Sequence, residues 1–466
     1  MNPFLNPATG LPFIKNLILD PGRLQRFSTK KMERYRDKAL RKTIKYAYKV
    51  PLYHKKYDES GIHYNEIKNI EDIKKLPFIS KNDIIKHFPD EIIPRHIDKN
   101  KVEVVCTSGS TGKPVFFYTD FSVMTKAATI SLREFQKYNL HWKKSKIAYI
   151  VNYTPNTINE VAEKIFFSKA KSFFSLKNHI QIDPFDIFQN IIKKLNDFKP
   201  DTIISYPVIF QHLAFFKKKG YGEHINPKIL IVGGHVLDDY TRNFVEDVFN
   251  CKMVNVYGSA ESGGDIAFEC VERTWHINHD FYHVEAINKN KNLILTGKKG
   301  HIVVSRLFGE GTPFIRYTGM DDWVTIIPEY KCNCGLKTPI LKNGVEGRLN
   351  TSIVLPDGRI FSSGIFANIS AVLNKLKTSK IKQFQIIQNK IDEIDILFVI
   401  DDKNRNVEPS IELIFDTIKK AYEEIVGPAV KITVKEVKDI KSNIDKPSQL
   451  VISKIKPEEI YKILNF

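Results

Sequence analysis

From residue 29 to residue 49, apolar and aromatic side chains (Met32, Tyr35, Ala39, Leu40, Ile44, Ala47) recur at roughly helical spacing among basic ones. This predicts an amphipathic helix that ends at Val50-Pro51. Between residues 147 and 256 the pattern changes. Short β-rich runs at 147–152, 202–205, 229–232 and 253–256 alternate with helical stretches such as 187–197 and 239–249, the signature of an α/β region with a largely parallel sheet. Past Leu293, runs at 300–306 and 323–327 suggest a further β-rich subdomain. The pattern breaks near Gly347-Arg348-Leu349-Asn350. A hairpin (383–388 and 393–400), a helix (410–425) and a strand (430–437) follow, enough for a small α+β domain.

A chain of 466 residues exceeds what one hydrophobic core usually supports, so at least two domains are expected. With 42% hydrophobic and 27% charged residues the composition is that of an ordinary soluble protein. No apolar run approaches the length of a membrane span, and the opening Met-Asn-Pro-Phe-Leu-Asn-Pro lacks the regions of a secretory signal, so cytoplasm is the expected location. The net charge of +18 invites a nucleic-acid partner. Its lysines, however, are scattered in twos and threes, without an aromatic-interleaved groove or a recognisable nucleic-acid-binding motif, so no such partner is expected.

The densest chemistry lies in Thr107-Ser108-Gly109-Ser110-Thr111-Gly112-Lys113-Pro114, where seven of eight residues are hydroxyl-bearing, Gly or Lys. The glycines let backbone N–H groups approach phosphate oxygens, the hydroxyls add neutral donors and Lys113 supplies a mobile positive charge. The run departs from a Walker A loop, which needs four residues between its glycines and a Ser or Thr after the Lys. Apolar stretches at 102–105 and 115–118 flank it, so the loop is expected to join two strands. A plain Gly/Ser hairpin is the competing reading.

That loop, with Val50-Pro51-Leu52-Tyr53-His54, Leu76-Pro77-Phe78-Ile79-Ser80-Lys81, Ser205-Tyr206-Pro207 and Tyr257-Gly258-Ser259-Ala260-Glu261 in this order, resembles the adenylate-forming (AMP-producing) ligase superfamily. Within it the chain is similar to the phenylacetate-CoA ligase-like and capsule-biosynthesis CapK-like branch. The resemblance implies a large N-terminal domain, residues 1–349, that binds ATP and a carboxylate, and a mobile C-terminal lid, residues 350–466. It implies an enzyme that converts ATP and a carboxylic acid to an acyl-adenylate, then transfers the acyl group to coenzyme A or to another nucleophile, an amine or a carrier protein. A nucleotide-binding homologue without turnover is the alternative.

In the Tyr257 motif a flat ring suits adenine, and Glu261 offers Mg²⁺ the oxygen a hard cation prefers; the resemblance assigns those roles. It adds Gly258 and Ser259 to the nucleotide site. The superfamily often places Thr before the Glu, where this chain has Ala260, leaving Ser259 as a possible substitute. Arg316-Tyr317-Thr318-Gly319-Met320-Asp321 is similar to the family's Arg-Tyr-x-x-x-Asp, which makes Asp321 the ribose acceptor and Arg348 a second ribose or phosphate contact. The catalytic lysine of the lid corresponds to Lys446, with Lys441 and Lys454 as competitors. Pocket walls are expected around Tyr206-Pro207, Gly233-Gly234-His235 and Tyr257-Gly258, at strand ends of the α/β sheet.

Five cysteines in so long a chain make no disulfide scaffold. Cys332-Asn333-Cys334-Gly335 with Cys270 and His276 offers three thiolates and one imidazole, a closed tetrahedral set suited to structural zinc if folding brings the two halves together. Members of the phenylacetate-CoA ligase-like branch resemble this pattern. Cys106 and Cys251 are read as core residues beside strands.

Overall fold

The computed structural model describes residues 3–5, 10, 13–14, 21–107, 115–153, 155–172, 174–184, 186, 188–234, 237–288, 290–320, 322–348, 353–357, 360–361, 376, 378, 380–440 and 451–455. Helix α1 (Thr29–Ala47) buries Met32, Leu40, Thr43, Ile44 and Ala47, the stripe its apolar spacing predicts. Val50, extended, precedes helix α2 (Pro51–Glu59), where Pro51 occupies the first turn and gives up an N–H that would have no helical partner.

Strands β1 (Glu103–Cys106) and β2 (Phe116–Thr119) form an antiparallel hairpin, and helix α3 (Phe121–Lys137) follows, capped by the Asp120 carboxylate on Val123 N–H. Strands and helices then alternate: β3 (Ile147–Ile150), β4 (His179–Ile182), α4 (Phe188–Phe198), β5 (Thr202–Ser205), α5 (Pro207–Lys218), β6 (Ile229–Val232), α6 (Asp239–Phe249) and β7 (Lys252–Ser259). β4, β3, β5, β6 and β7 lie side by side and parallel, as the alternation predicts.

β8 (Gly264–Glu269), β9 (Trp275–Ile277), β10 (Tyr282–Ile287), β11 (Lys299–Arg306), β12 (Asp322–Ile327) and β13 (Ile340–Arg348) correct one expectation. They build no separate sheet. The turn after β7 folds β8 back onto its open edge, and the antiparallel strands extend the parallel half into one eleven-stranded sheet, ordered β10-β11-β12-β13-β9-β8-β7-β6-β5-β3-β4.

The C-terminal part has its own core. β14 (Ile353–Val354) and β15 (Ile360–Phe361) pair, while β16 (Ile381–Lys390), β17 (Glu393–Ile400), β18 (Lys431–Glu436) and β19 (Val451–Ser453) form a sheet ordered β18-β17-β16-β19. Helix α7 (Ile411–Val426), whose N–H of Leu413 is capped by Ser410, covers it. Ile386, Ile396, Phe398, Ile414 and Ile418 fill that core, and Tyr240 of α6 packs against it from the other part of the chain. Buried Gln388 clamps the Val354 backbone, donating to its carbonyl at 2.6 Å and accepting from its N–H at 3.2 Å. Residues 349–352, where the domain boundary was expected, lie outside the described residues.

Candidate active site and metal centre

The β1–β2 hairpin presents the hydroxyl- and glycine-rich loop. Thr107 N–H donates to the Val115 carbonyl at 3.0 Å and Thr107 Oγ1 accepts from Val115 N–H at 3.0 Å, closing the base of the loop. Ser108, Gly109, Ser110, Thr111, Gly112 and Lys113 lie outside the described residues.

The C-terminal ends of the parallel strands, the usual ligand position of such sheets, carry the next motifs. Gly233 and Gly234 follow β6. A Cβ on Gly233 would sit 2.9 Å from the Val256 side chain, and one on Gly234 3.0 Å from the Tyr206 ring, so both positions bring backbone against neighbouring strands. Gly234 also has φ +77°, which a side chain would strain. The Tyr206 hydroxyl accepts from Asn152 N–H at 3.0 Å, laying its ring across the ends of β3 and β6. His235 lies outside the described residues.

Tyr257 to Glu261 runs off the end of β7 into a tight turn. Tyr257 donates from its hydroxyl to Asp322 Oδ2 at 2.7 Å, which fixes the ring, since Asp322 is buried at the start of β12. Ser259 Oγ accepts from Ser262 N–H at 3.1 Å, so it holds the turn. Glu261, 7% exposed, accepts from the Tyr317 hydroxyl on Oε1 at 3.2 Å, and its carbonyl accepts from Arg306 Nη1 at 3.0 Å. Gly319 makes room for that tyrosine: a Cβ there would fall 2.2 Å from the Tyr317 hydroxyl.

Two of the other sequence motifs support this turn at one remove. Arg316 has φ +47° and is held by Glu285 at 3.0 and 3.1 Å, by the carbonyls of Lys74 and Leu76, and by the Phe78 ring beneath its guanidinium. The Tyr53 hydroxyl donates to the Pro313 carbonyl at 2.6 Å. Asp321, Lys441 and Lys446 and the Arg348 side chain lie outside the described residues. Lys454 donates to Asn389 Oδ1 at 2.7 Å.

At the other end of β8, β9 pairs with β13 and brings the Cys332–Cys334 turn beside His276. The ligand atoms of Cys270, His276, Cys332 and Cys334 all lie within 4.8 Å of one another. Cys270 and Cys332 sulfurs are 3.8 Å apart and Cys334 Sγ is 3.3 Å from His276 Nε2. With zinc–sulfur bonds of about 2.3 Å and zinc–nitrogen bonds of about 2.0 Å, tetrahedral edges come to about 3.8 and 3.5 Å. His276 Nδ1 meets Thr338 Oγ1 at 2.8 Å, an arrangement that orients Nε2 toward the cluster. Hydrogen bonds from Cys334 and then His276 lower the pKa of the Cys270 thiol, which favours the thiolate a metal would bind. Cys106 and Cys251 are half-buried rather than core, because both sit at strand margins.

Sequence reasoning gave no role to Tyr317, Arg306 or Thr338, and alignment by Arg316 preferred Asp321 to Asp322. Tyr317 and Asp322, inside and beside the Arg-Tyr motif, carried a signal in the sequence.

No protein-family model matches the chain. The phenylacetate-coenzyme A ligase of Thermus thermophilus is 22% identical over 439 residues, 88% of this chain and 94% of that protein. Protein CapK of Staphylococcus aureus is 26% identical over 343 residues, 73% of this chain and 72% of CapK. Among solved structures, 2-hydroxyisobutyryl-CoA ligase in the postadenylation state with R3-HIB-AMP superposes with a TM-score of 0.77 at 16% identity, covering 95% of this chain and 93% of that one. The same ligase in its thioesterification state with 2-HIB-AMP and CoA gives 0.61 over the same shares. The fold is that of the adenylate-forming ligases. In sequence the chain is similar to the phenylacetate-CoA ligases and CapK, in keeping with its motifs.

Proposed function

We propose that this protein activates a carboxylic acid with ATP and passes the acyl group to coenzyme A. The observation that carries the reading is the turn after β7, where Tyr257 and Glu261 are separately anchored by Asp322 and Tyr317. A carboxylate oxygen attacks the α-phosphorus, the bond to pyrophosphate breaks, and an acyl-adenylate forms; a thiolate then takes the acyl carbon and AMP leaves. Chemistry of this kind brings like charges together, so catalysis rests on positioned opposite charge.

In this assignment the 107–113 loop grips the phosphates, the Tyr257 ring covers adenine and Asp321 with Arg348 holds the ribose. The engagement of Asp322 by Tyr257 supports choosing Asp321. Glu261 suits Mg²⁺: among the described residues its protein donor is on Oε1 alone, and a carboxylate is the oxygen ligand that cation prefers. Bound there, Mg²⁺ neutralises phosphate charge. Lys446 acts from the lid, residues 350–466, closing on the domain of residues 1–349, and the protein works in the cytoplasm. The Cys270, His276, Cys332 and Cys334 cluster holds structural zinc, since four protein ligands leave no position for substrate. It lies one strand length, about 20 Å, from the Glu261 turn.

The second reading, which the resemblance to the capsule-biosynthesis CapK-like branch implies, has an amine or carrier protein as acceptor in surface-polysaccharide synthesis. Incubation with ATP, Mg²⁺ and a panel of acids, with CoA present or absent, decides by mass spectrometry of the products. CoA-dependent acyl thioester and AMP are expected. AMP release that ignores CoA but responds to amines would favour the second acceptor, and no AMP with any acid would favour a binding homologue without turnover.

A further inference from the structure

The most exposed large apolar side chain among the described residues is Leu295, at 78%, and Leu293 near it is 48% exposed. Both stand at one margin of the eleven-stranded sheet, where β10 is the last strand. The chain leaving β10 turns back on it. Asn288 N–H donates to the Asn292 carbonyl at 2.9 Å, Asn288 Oδ1 accepts from Asn292 N–H at 3.0 Å, and Ile294 N–H donates to the Ala286 carbonyl at 3.0 Å. Leu293 forms a bridge with Ile287, and the Ile294 side chain packs against the main core. The backbone and Ile294 thus fix the hairpin, while the leucines on either side of Ile294 meet water. Two such neighbours make a patch, which marks a contact surface where a lone exposed leucine would not.

Leu293 and Leu295 line a cleft of about 210 Å³ between this hairpin and the helical turn Ile70–Lys75, with Ile73 and Ile326 in its walls. Its rim is basic. Lys74 and Lys298 line the same cleft and are exposed, and exposed Lys291 lies two residues before Leu293. Lys299 is instead paired with Glu346. Of the carboxylates at the cleft, Glu285 is neutralised by Arg316 at 3.0 Å, which leaves Glu71 facing the ammonium groups of Lys74, Lys291 and Lys298.

We propose that this hairpin is a peripheral membrane contact: Leu293 and Leu295 enter the headgroup and upper acyl region of a bilayer rich in anionic lipid, and Lys74, Lys291 and Lys298 meet the lipid phosphates. The charges choose this occupant. An apolar tip ringed by lysines matches an anionic interface in both its parts, and the lysine stems add apolar contact below their charged heads. A second copy of this chain fits worse, because a two-fold contact would set the same lysines against one another. The hairpin is already fixed by its own hydrogen bonds, so little ordering opposes insertion. The inference stands apart from the adenylation reading and does not need it.

The test is sedimentation of the full chain with vesicles of phosphatidylcholine and phosphatidylglycerol in about equal parts, and with phosphatidylcholine alone. Wild type should partition to the anionic vesicles at least about tenfold more strongly, and the preference should fall as salt rises. The double variant Leu293→Ser, Leu295→Ser should bind the anionic vesicles about tenfold more weakly or worse, and Lys74→Gln, Lys298→Gln should bring binding close to the phosphatidylcholine level. All four positions are exposed, so melting temperatures should match wild type. Lys218→Gln, Lys219→Gln removes the same charge from the end of α5, beside exposed Tyr221, and should change binding little. The assignment is overturned if the protein ignores anionic vesicles or if the leucine variant binds as wild type does. It is equally overturned if the Lys218, Lys219 variant loses as much as the Lys74, Lys298 variant, since net charge alone would then be the cause. A concentration-dependent dimer that Leu295→Ser dissolves, without vesicle binding, would replace the bilayer by a second copy.

Discussion

At the scale of single residues, the candidate site works by anchoring each functional side chain with a second one. Tyr257→Phe keeps the ring but loses the bond to the Asp322 carboxylate, an interaction worth about 1.5–3 kcal/mol. The KM for ATP in pyrophosphate exchange should therefore rise by about tenfold or more, with kcat changed far less; an unchanged KM would show that the hydroxyl does not position the ring. His283 gives a pH-dependent counterpart. Burial, then Arg36 and Arg316, lower its pKa to about 3, and Arg36 Nη2 donates to its Nδ1 at 3.0 Å. The unfolded chain takes up this proton near pH 6.5 while the folded one does not, so stability from this residue is full above about pH 6.5 and is lost as pH falls toward 3. Down to pH 5 the loss is at most about 2 kcal/mol. His283→Gln should accordingly gain melting temperature relative to wild type between pH 8 and pH 5, and parallel curves would contradict the assignment. Motif residues such as Tyr257 and Glu261 were legible through their resemblance to a family motif. The bond of Tyr257 to Asp322 was not, because it is set by strand register, and a bulge at Tyr257–Gly258 leaves no mark in composition.

At the scale of elements, periodicity located α1, α4, α6 and α7 and the parallel strands β3, β5, β6 and β7, but not α2, α3 or α5. What it did not convey was that β8 to β13 join the parallel strands; that depends on which edge a turn presents. The same pairing assembles the candidate metal site: β9 against β13 carries His276 to the Cys332–Cys334 turn. Purified protein should contain close to one zinc per chain. Cys332→Ser should lose the zinc and several degrees of melting temperature together, because the metal ties strands rather than performing chemistry. Cys106→Ser should leave both unchanged. Zinc-free fresh protein with an undiminished melting temperature would return these four residues to ordinary packing.

At the scale of the whole molecule, Tyr240 of α6 packs against the core of the C-terminal part, which is proposed as the lid. A lysine carried by that lid acts only when it closes, so Lys446→Ala should abolish adenylate formation and leave ATP binding nearly intact; equal loss from Lys441→Ala with none from Lys446→Ala would move the role to Lys441. Chain length led to the expectation of at least two domains but said nothing of contacts such as that of Tyr240 with the C-terminal core, which have no period to read. The central claim is acid activation at the turn after β7, and acid-dependent ATP–pyrophosphate exchange in wild type, Glu261→Gln and Lys113→Ala tests it most directly. Exchange should be present in wild type and about a hundredfold weaker in each variant; exchange unchanged in both variants would contradict it.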